Sequence, residues 1–429
     1  SSTKEIRYNV AKDKEDDSVH YLNFWDFVEN APVIVNVRLE DDLTHKELAG
    51  AALEITDEAG QSVDAWITRV DNGYTIRGLS VDKSYTITEH MPRDGYLMKF
   101  TGARLESANA ELSKPEGAQV TFRIQDVPGE TMADGKLDRE AVPEPTRIIL
   151  ESPFVTGRIR LNKEGEILDE LTMTERIGNL LAGVFRYRRT GLEGVSFAVY
   201  AAEDIEHPDG VTGICFRKGE QVMTGVRSEL KEAAGKTDSL GQLSFEELYL
   251  GQYEIREQET VEGYVREENP LFLTLAYRDG FTSPVEPQQG LLSWLNPRQK
   301  AEVTVNKRDK DTGEALEGAE ISLYLKETDT LLETVRTGAD GRAVFTADLP
   351  FGSYYVKETK APEGYQLSED KQEFTFAYAG EDRKLVQVEK TLLNEKKPEQ
   401  RASHGKPRQV AAAPMGDRAQ METWGLLLV

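Results

Sequence analysis

The sequence predicts an all-β fold, a row of tandem antiparallel β-sandwiches forming an elongated rod. Three observations predict it: a unit that occurs three times, apolar and polar residues that alternate over short runs, and Gly, Asp and Pro turns between the runs. Successive side chains of a strand point to opposite faces, so alternation of period two marks a sheet with one buried face. Sustained helical spacing is absent, and Leu168 to Leu181 is the one stretch expected to form a short helix.

The clearest unit runs from residue 301 to 395. It opens with alternating Val303-Thr304-Val305-Asn306-Lys307 and turns at Asp309-Lys310-Asp311-Thr312-Gly313. Leu316-Glu317-Gly318-Ala319 then leads into a strand ending at Tyr324, and an Asp340-Gly341 turn starts another strand at Ala343. Gly352-Ser353-Tyr354-Tyr355-Val356-Lys357-Glu358 follows, then a loop to Gly364-Tyr365. The middle of the chain keeps this order with Leu192-Glu193-Gly194-Val195, Tyr253-Glu254-Ile255-Arg256-Glu257 and Gly263-Tyr264. So does the first third, with Leu48-Ala49-Gly50-Ala51, Tyr85-Thr86-Ile87-Thr88-Glu89 and Gly95-Tyr96.

The expected organisation is therefore a first sandwich at 31–127, a linker at 128–151, a second sandwich with insertions at 152–300 and a third at 301–395. Residues 1–30 read as the end of a preceding region, and 396–429 as a disordered tail rich in Lys, Arg, Pro, Gln and Ala. A chain of 429 residues suits about three domains of roughly 100–200 residues each. Ser1 to Asn30 holds no apolar signal core, and the run from Trp424 to Val429 falls short of a membrane span, as expected of a fragment of a longer protein.

The net charge of −24 argues against nucleic acid or an anionic membrane as partner. One cysteine, Cys215, allows no internal disulfide, so if the chain is extracellular its reinforcement must come from other means.

Faces of the strands supply those means. In the third unit Val303, Val305 and Lys307 share a face, as do Tyr354, Val356 and Glu358, and Leu392 with Asn394. The apolar members face the core, so a lysine, a glutamate and an asparagine face it too. In the second unit Ile159, Leu161 and Lys163 align in the same way, with Tyr253, Ile255 and Glu257 and with Leu292, Trp294 and Asn296. Burying such groups is costly unless they meet. Once together they form either a salt bridge beside an amide or a reactive set. Burial disfavours charge, a neutral amine is a nucleophile, and a carboxylic acid can polarise a carboxamide and pass a proton to departing ammonia. The product of that second course is a Lys–Asn isopeptide bond.

The third unit resembles the Cna B-type (SpaA-like, prealbumin-like) domains of Gram-positive cell-wall-anchored surface proteins and pilins. The segment Tyr355-Val356-Lys357-Glu358 with Ala361-Pro362-Glu363-Gly364-Tyr365 carries the likeness. The second unit is similar to the family more loosely, through Val199-Tyr200-Ala201-Ala202-Glu203-Asp204-Ile205 and Asn296-Pro297-Arg298-Gln299-Lys300. The resemblance implies cross-links Lys163–Asn296 and Lys307–Asn394, made autocatalytically with Glu257 and Glu358 as the catalytic acids. It implies a non-enzymatic, extracellular stalk segment of a cell-surface adhesin, monomeric and without cofactor. Its partners would be the cell wall, through sortase, and a host extracellular protein or glycan. The alternatives are a ligand-binding adhesin module and a pilin subunit.

The first unit departs from the pattern. The third unit's spacing puts its lysine position at Leu39, while Glu89 remains and Asp126 stands where Asn is expected. Without an amine no bond forms. Other candidates are weaker. His20, His45, His90, His207 and His404 form no pair at metal-ligand spacing, and Asp309 with Asp311 lacks the rest of a calcium loop. Pro414-Met415-Gly416-Asp417 ahead of Trp424 to Val429 resembles a sortase signal without its threonine and leading leucine.

Overall fold

A computed structural model of the chain describes residues 33–106, 110–125, 145–177, 180–277, 285 and 291–398. The described residues form strands and no helix, in three two-layered β units. In the first unit, one sheet runs Tyr74–Leu79, Val33–Asp41, Thr146–Ser152, Gly102–Leu105. It faces a five-stranded sheet centred on Ala52–Thr56, Ser84–Met91 and Gln119–Ile124. Val35, Leu39, Ile55, Ile87, Phe122 and Leu150 fill the space between them.

The second unit sets Gly157–Ile177, with its neighbours Leu180–Gly191, Gln242–Leu248 and Leu292–Asn296, against a sheet built around Ser196–Ala201 and Gly251–Glu259. The third sets Arg342–Phe345, Lys300–Asp309 and Leu385–Asn394 against the four strands Thr330–Arg336, Glu320–Leu325, Gly352–Lys360 and Lys371–Phe376. In every unit the first and last strands lie side by side and parallel.

Two expectations are corrected. Leu168 to Leu181 is no helix: it lies in a hairpin of Gly157–Ile177 with Leu180–Gly191. The ladder shifts register between Leu168 and Glu170 and again between Met173 and Glu175. Each bulge adds a residue to one strand and resets its period, so leucines three apart mimic a helical stripe. The hairpin reaches the third unit, where Leu171 and Phe185 pack against that unit's core. The second correction concerns the expected linker at 128–151. Thr146–Ser152 is the last strand of the first unit, paired with Val33–Asp41 from Val35↔Thr146 to Asp41↔Ser152. The expected region 1–30 and residues 399–429 of the tail expected at 396–429, with the sorting-like residues, lie outside the described residues, as does Asp126; Lys396, at the start of that tail, bridges to Tyr365.

Neighbouring units touch through specific contacts. Thr44 of the first unit donates to Asp209 Oδ2 of the second at 2.9 Å, and Arg93 Nε donates to Pro208 O at 3.1 Å. Between the second and third, the Arg298 guanidinium stacks 3.5 Å over the Tyr187 ring and donates to Asp348 Oδ2 at 2.6 Å.

Candidate functional site

Two buried clusters stand out, one in the second unit and one in the third. Each lysine sits on the first strand of its unit, opposite Trp294 for Lys163 and opposite Leu392 for Lys307. The asparagine lies two residues beyond that partner, on the same face: Asn296 opposite Gly165, Asn394 opposite Asp309. The glutamate comes from the facing sheet, on Gly251–Glu259 or Gly352–Lys360.

The turn before the lysine's neighbouring strand is also fitted to it. Lys163 and Lys307 donate their backbone N–H to the carbonyls of Gly241 and Gly341. Both glycines adopt positive φ, and a Cβ on either would strike the lysine's own carbonyl oxygen.

All six polar residues are at most 4 % exposed. Lys163 Nζ lies 2.9 Å from Glu257 Oε2, and Asn296 Nδ2 donates to Glu257 Oε1 at 2.5 Å and to Thr260 Oγ1 at 2.8 Å. In the third unit, Lys307 Nζ lies 3.3 Å from Glu358 Oε1. Asn394 Nδ2 donates to both Glu358 oxygens at 2.9 and 3.0 Å and to Gln366 O at 2.8 Å. The Ser368 backbone N–H holds Glu358 Oε2 at 2.7 Å. Each lysine nitrogen has its glutamate as partner, whereas neither asparagine carbonyl oxygen has a hydrogen-bond partner.

Burial pulls both lysine amines below the ordinary lysine range, and the facing carboxylate opposes that shift only in part. Around Lys163 the apolar wall is aromatic, with the Trp294 ring centroid 4.9 Å and the Phe197 centroid 5.8 Å from Nζ. Around Lys307 the corresponding positions are Leu392 and Ile321.

The structure thus brings together Lys163, Glu257 and Asn296, and separately Lys307, Glu358 and Asn394. It places Leu39 of the first unit opposite Leu150, as Lys307 stands opposite Leu392. Two residues on, Ser152 occupies the place of Asn296 and Asn394, which corrects the assignment of that place to Asp126. Glu89 is 2 % exposed, and neither carboxyl oxygen has a hydrogen-bond partner. Leu39→Lys with Ser152→Asn is expected to let a Lys–Asn cross-link form in this unit, read as one ammonia lost from the intact mass relative to the parent chain.

Two features of the clusters went unread in the sequence. One is Thr260. The other is a β-bulge beside the glutamate in every unit: the register shifts between Ala52 and Leu53 opposite Glu89, between Ser196 and Phe197 opposite Glu257, and between Glu320 and Ile321 opposite Glu358. Bulges re-aim side chains, and here the same irregularity recurs at the same carboxylate. Among the described residues no group of three or more His, Cys, Asp or Glu is placed to hold a metal ion.

Comparison with known proteins bears on the units directly. The model of the SpaA prealbumin-like fold domain matches residues 34–106, 187–287 and 301–391, more than half of the chain. Among solved structures, the Bacillus anthracis TIE protein is similar at 17 % identity and TM-score 0.47, over 85 % of this chain and 50 % of that one. This chain therefore spans half of that protein's length. BcpA, the major pilin subunit of Bacillus cereus, is similar at 14 % identity and TM-score 0.30, over 86 % of this chain and all of that one. A streptococcal ancillary pilin is similar at 17 % identity and TM-score 0.23, over 86 % of this chain and all of that one. No curated protein matches. With its three matched segments, the chain belongs to the SpaA prealbumin-like fold domain family.

Proposed function

We propose that the chain is a structural stalk segment of a bacterial cell-surface protein, stiffened by two isopeptide bonds that it makes within itself, Lys163–Asn296 and Lys307–Asn394. One observation carries this reading: an amine, a carboxyl and a carboxamide meet in a buried core twice, in the same register, with the carboxamide oxygen left without a hydrogen bond. As an unreacted arrangement that is expensive, since each unsatisfied buried polar group costs about 1–3 kcal/mol.

The chemistry follows from the contacts. In the low-dielectric core a proton passes from the lysine ammonium to the glutamate beside it, leaving a neutral amine and a carboxylic acid. The lysine Nζ attacks the asparagine Cγ, and the glutamate, already bonded to the asparagine nitrogen, protonates it as it leaves and then takes up the proton that Nζ sheds on becoming the amide nitrogen. The Cγ–Nδ2 bond breaks, the Cγ–Nζ bond forms, and one ammonia departs per cross-link. Each domain reacts once and turns over no substrate. A surface location and attachment to the cell wall accord with such a stalk, and so does use as a pilin.

Peptide mapping tests the reading. Digests of the full chain should yield Lys163 joined to Asn296 and Lys307 joined to Asn394. Glu257→Ala should erase the first junction alone and Glu358→Ala the second alone. Recovery of all four residues in separate, unmodified peptides from the wild-type chain would refute it. Limited proteolysis gives a second check: cleavage is expected within 33–152 before the third unit is cut, because the first unit has no amine to link.

A further inference from the structure

The two clusters differ in how the asparagine is held. In the third unit the second acceptor for the carboxamide nitrogen is a backbone carbonyl, Gln366 O. Val265 stands at that place in the second unit, as Gly263-Tyr264-Val265 matches Gly364-Tyr365-Gln366. There the acceptor is instead the Thr260 hydroxyl, 2.8 Å from Asn296 Nδ2. The same alignment sets Thr260 against Ala361 of the third unit, which has no side chain able to do this.

Thr260 is itself fixed from outside its domain. Its backbone N–H donates to Glu381 Oε2 of the third unit at 3.2 Å. Nearby, Arg266 Nε meets Glu381 Oε1 at 3.1 Å, and the Gln299 side chain donates to Gly380 O and Arg383 O at 3.0 and 2.7 Å. The turn at 379–383 thus grips the second unit on both sides of Asn296, through Thr260 and Arg266 before it and Gln299 after it.

We propose that Thr260 is a positioning residue for the Lys163–Asn296 bond, its hydroxyl setting the rotation of the Asn296 carboxamide so that the departing nitrogen faces Glu257. This rests on the cross-linking reading given above. A carboxamide can turn over, and turned over it would offer its oxygen to Glu257 and hold its nitrogen away from the proton it must receive. While Glu257 is ionised it can only accept, so the turned-over carboxamide would set two oxygens face to face; the Thr260 hydroxyl adds a second acceptor that holds the nitrogen on the Glu257 side. The third unit reaches the same result with Gln366 O and needs no hydroxyl.

The test follows both bonds in freshly synthesised full-length chain, by peptide mapping at successive times. Thr260→Val keeps the size and shape of the side chain but cannot accept a hydrogen bond. It should slow formation of Lys163–Asn296 by about tenfold or more, the effect of one ordinary hydrogen bond on a barrier. Thr260→Ser should restore the wild-type rate. The Lys307–Asn394 bond of the same molecules serves as the internal control and should form at its usual rate. Unchanged kinetics in Thr260→Val would overturn the assignment, and so would equal slowing of both bonds, which reports a general folding defect. Absence of the Lys163–Asn296 junction from the wild-type chain would instead overturn the cross-linking reading itself.

Discussion

The intact chain is expected to weigh two ammonia molecules less than its sequence, and Lys307→Met to lose one of those deficits together with about 4–5 kcal/mol of the third unit's stability. The figure comes from the loop that the bond closes, Lys307 to Asn394, which the unfolded chain can no longer explore freely. Lys307→Met also leaves the buried Glu358 without its cation, a cost that the carboxyl lessens by holding a proton. Glu358→Ala should cost more. It strands the Lys307 ammonium, 0 % exposed, without its counter-charge, and breaking a buried pair in that way costs about 3–5 kcal/mol. Denaturant unfolding followed by hydrogen exchange over 300–394 separates the two variants. If Lys307→Met unfolds at the wild-type denaturant concentration, no covalent tie was present to be lost.

The second large effect lies in the first unit and has a defined pH window. Burial pushes the Glu89 carboxyl up to about 8 from an ordinary 4.5, with no cation beside it to reverse the shift. The folded state therefore holds a proton that the unfolded state releases. Stability from this group is fully present below about 4.5 and falls steadily as pH rises to about 8, beyond which both states are ionised. Over that window the first unit should lose on the order of 4 kcal/mol. Glu89→Gln keeps the shape without the titration. It should flatten the profile and leave the unit more stable than wild type at pH 8, as read from hydrogen exchange in 33–105. A wild-type profile as flat as that of the variant would show that Glu89 reaches solvent or a cation.

Much of both clusters was legible because strand geometry is simple. Lys307, Glu358 and Asn394 each sit at even spacing from apolar neighbours, and the second unit repeats the pattern. What failed were positions where an irregularity or an insertion breaks the count. In the first unit the strands Gly102–Leu105, Ala110–Leu112 and Gln119–Ile124 precede the last one. Counting from Glu89 therefore stopped one strand early, at Asp126 instead of Ser152. The bulges in 157–177 turned a strand into a helix-like leucine pattern. Thr260 was illegible for another reason: its partner Asn296 is 36 residues away, and no periodicity links a loop hydroxyl to a distant amide.

The parallel pairing of first and last strands has a mechanical consequence. Pull the chain at its two ends, and in the first unit the load enters at Val33 and leaves at Ser152. Parallel strands drawn from opposite ends slide along each other, so the register pairs from Val35↔Thr146 to Asp41↔Ser152 share the strain together and do not unzip singly. In the second and third units the proposed bond would sit at the far end of the same ladder, and load would cross from lysine to asparagine without straining it. Extension would then be confined to the first unit. Once its ladder shears, up to roughly 3.3 Å of length per residue becomes available. A tether made this way would yield at one chosen place, absorb a jolt, and refold when the pull relaxes, while the two locked units keep their length.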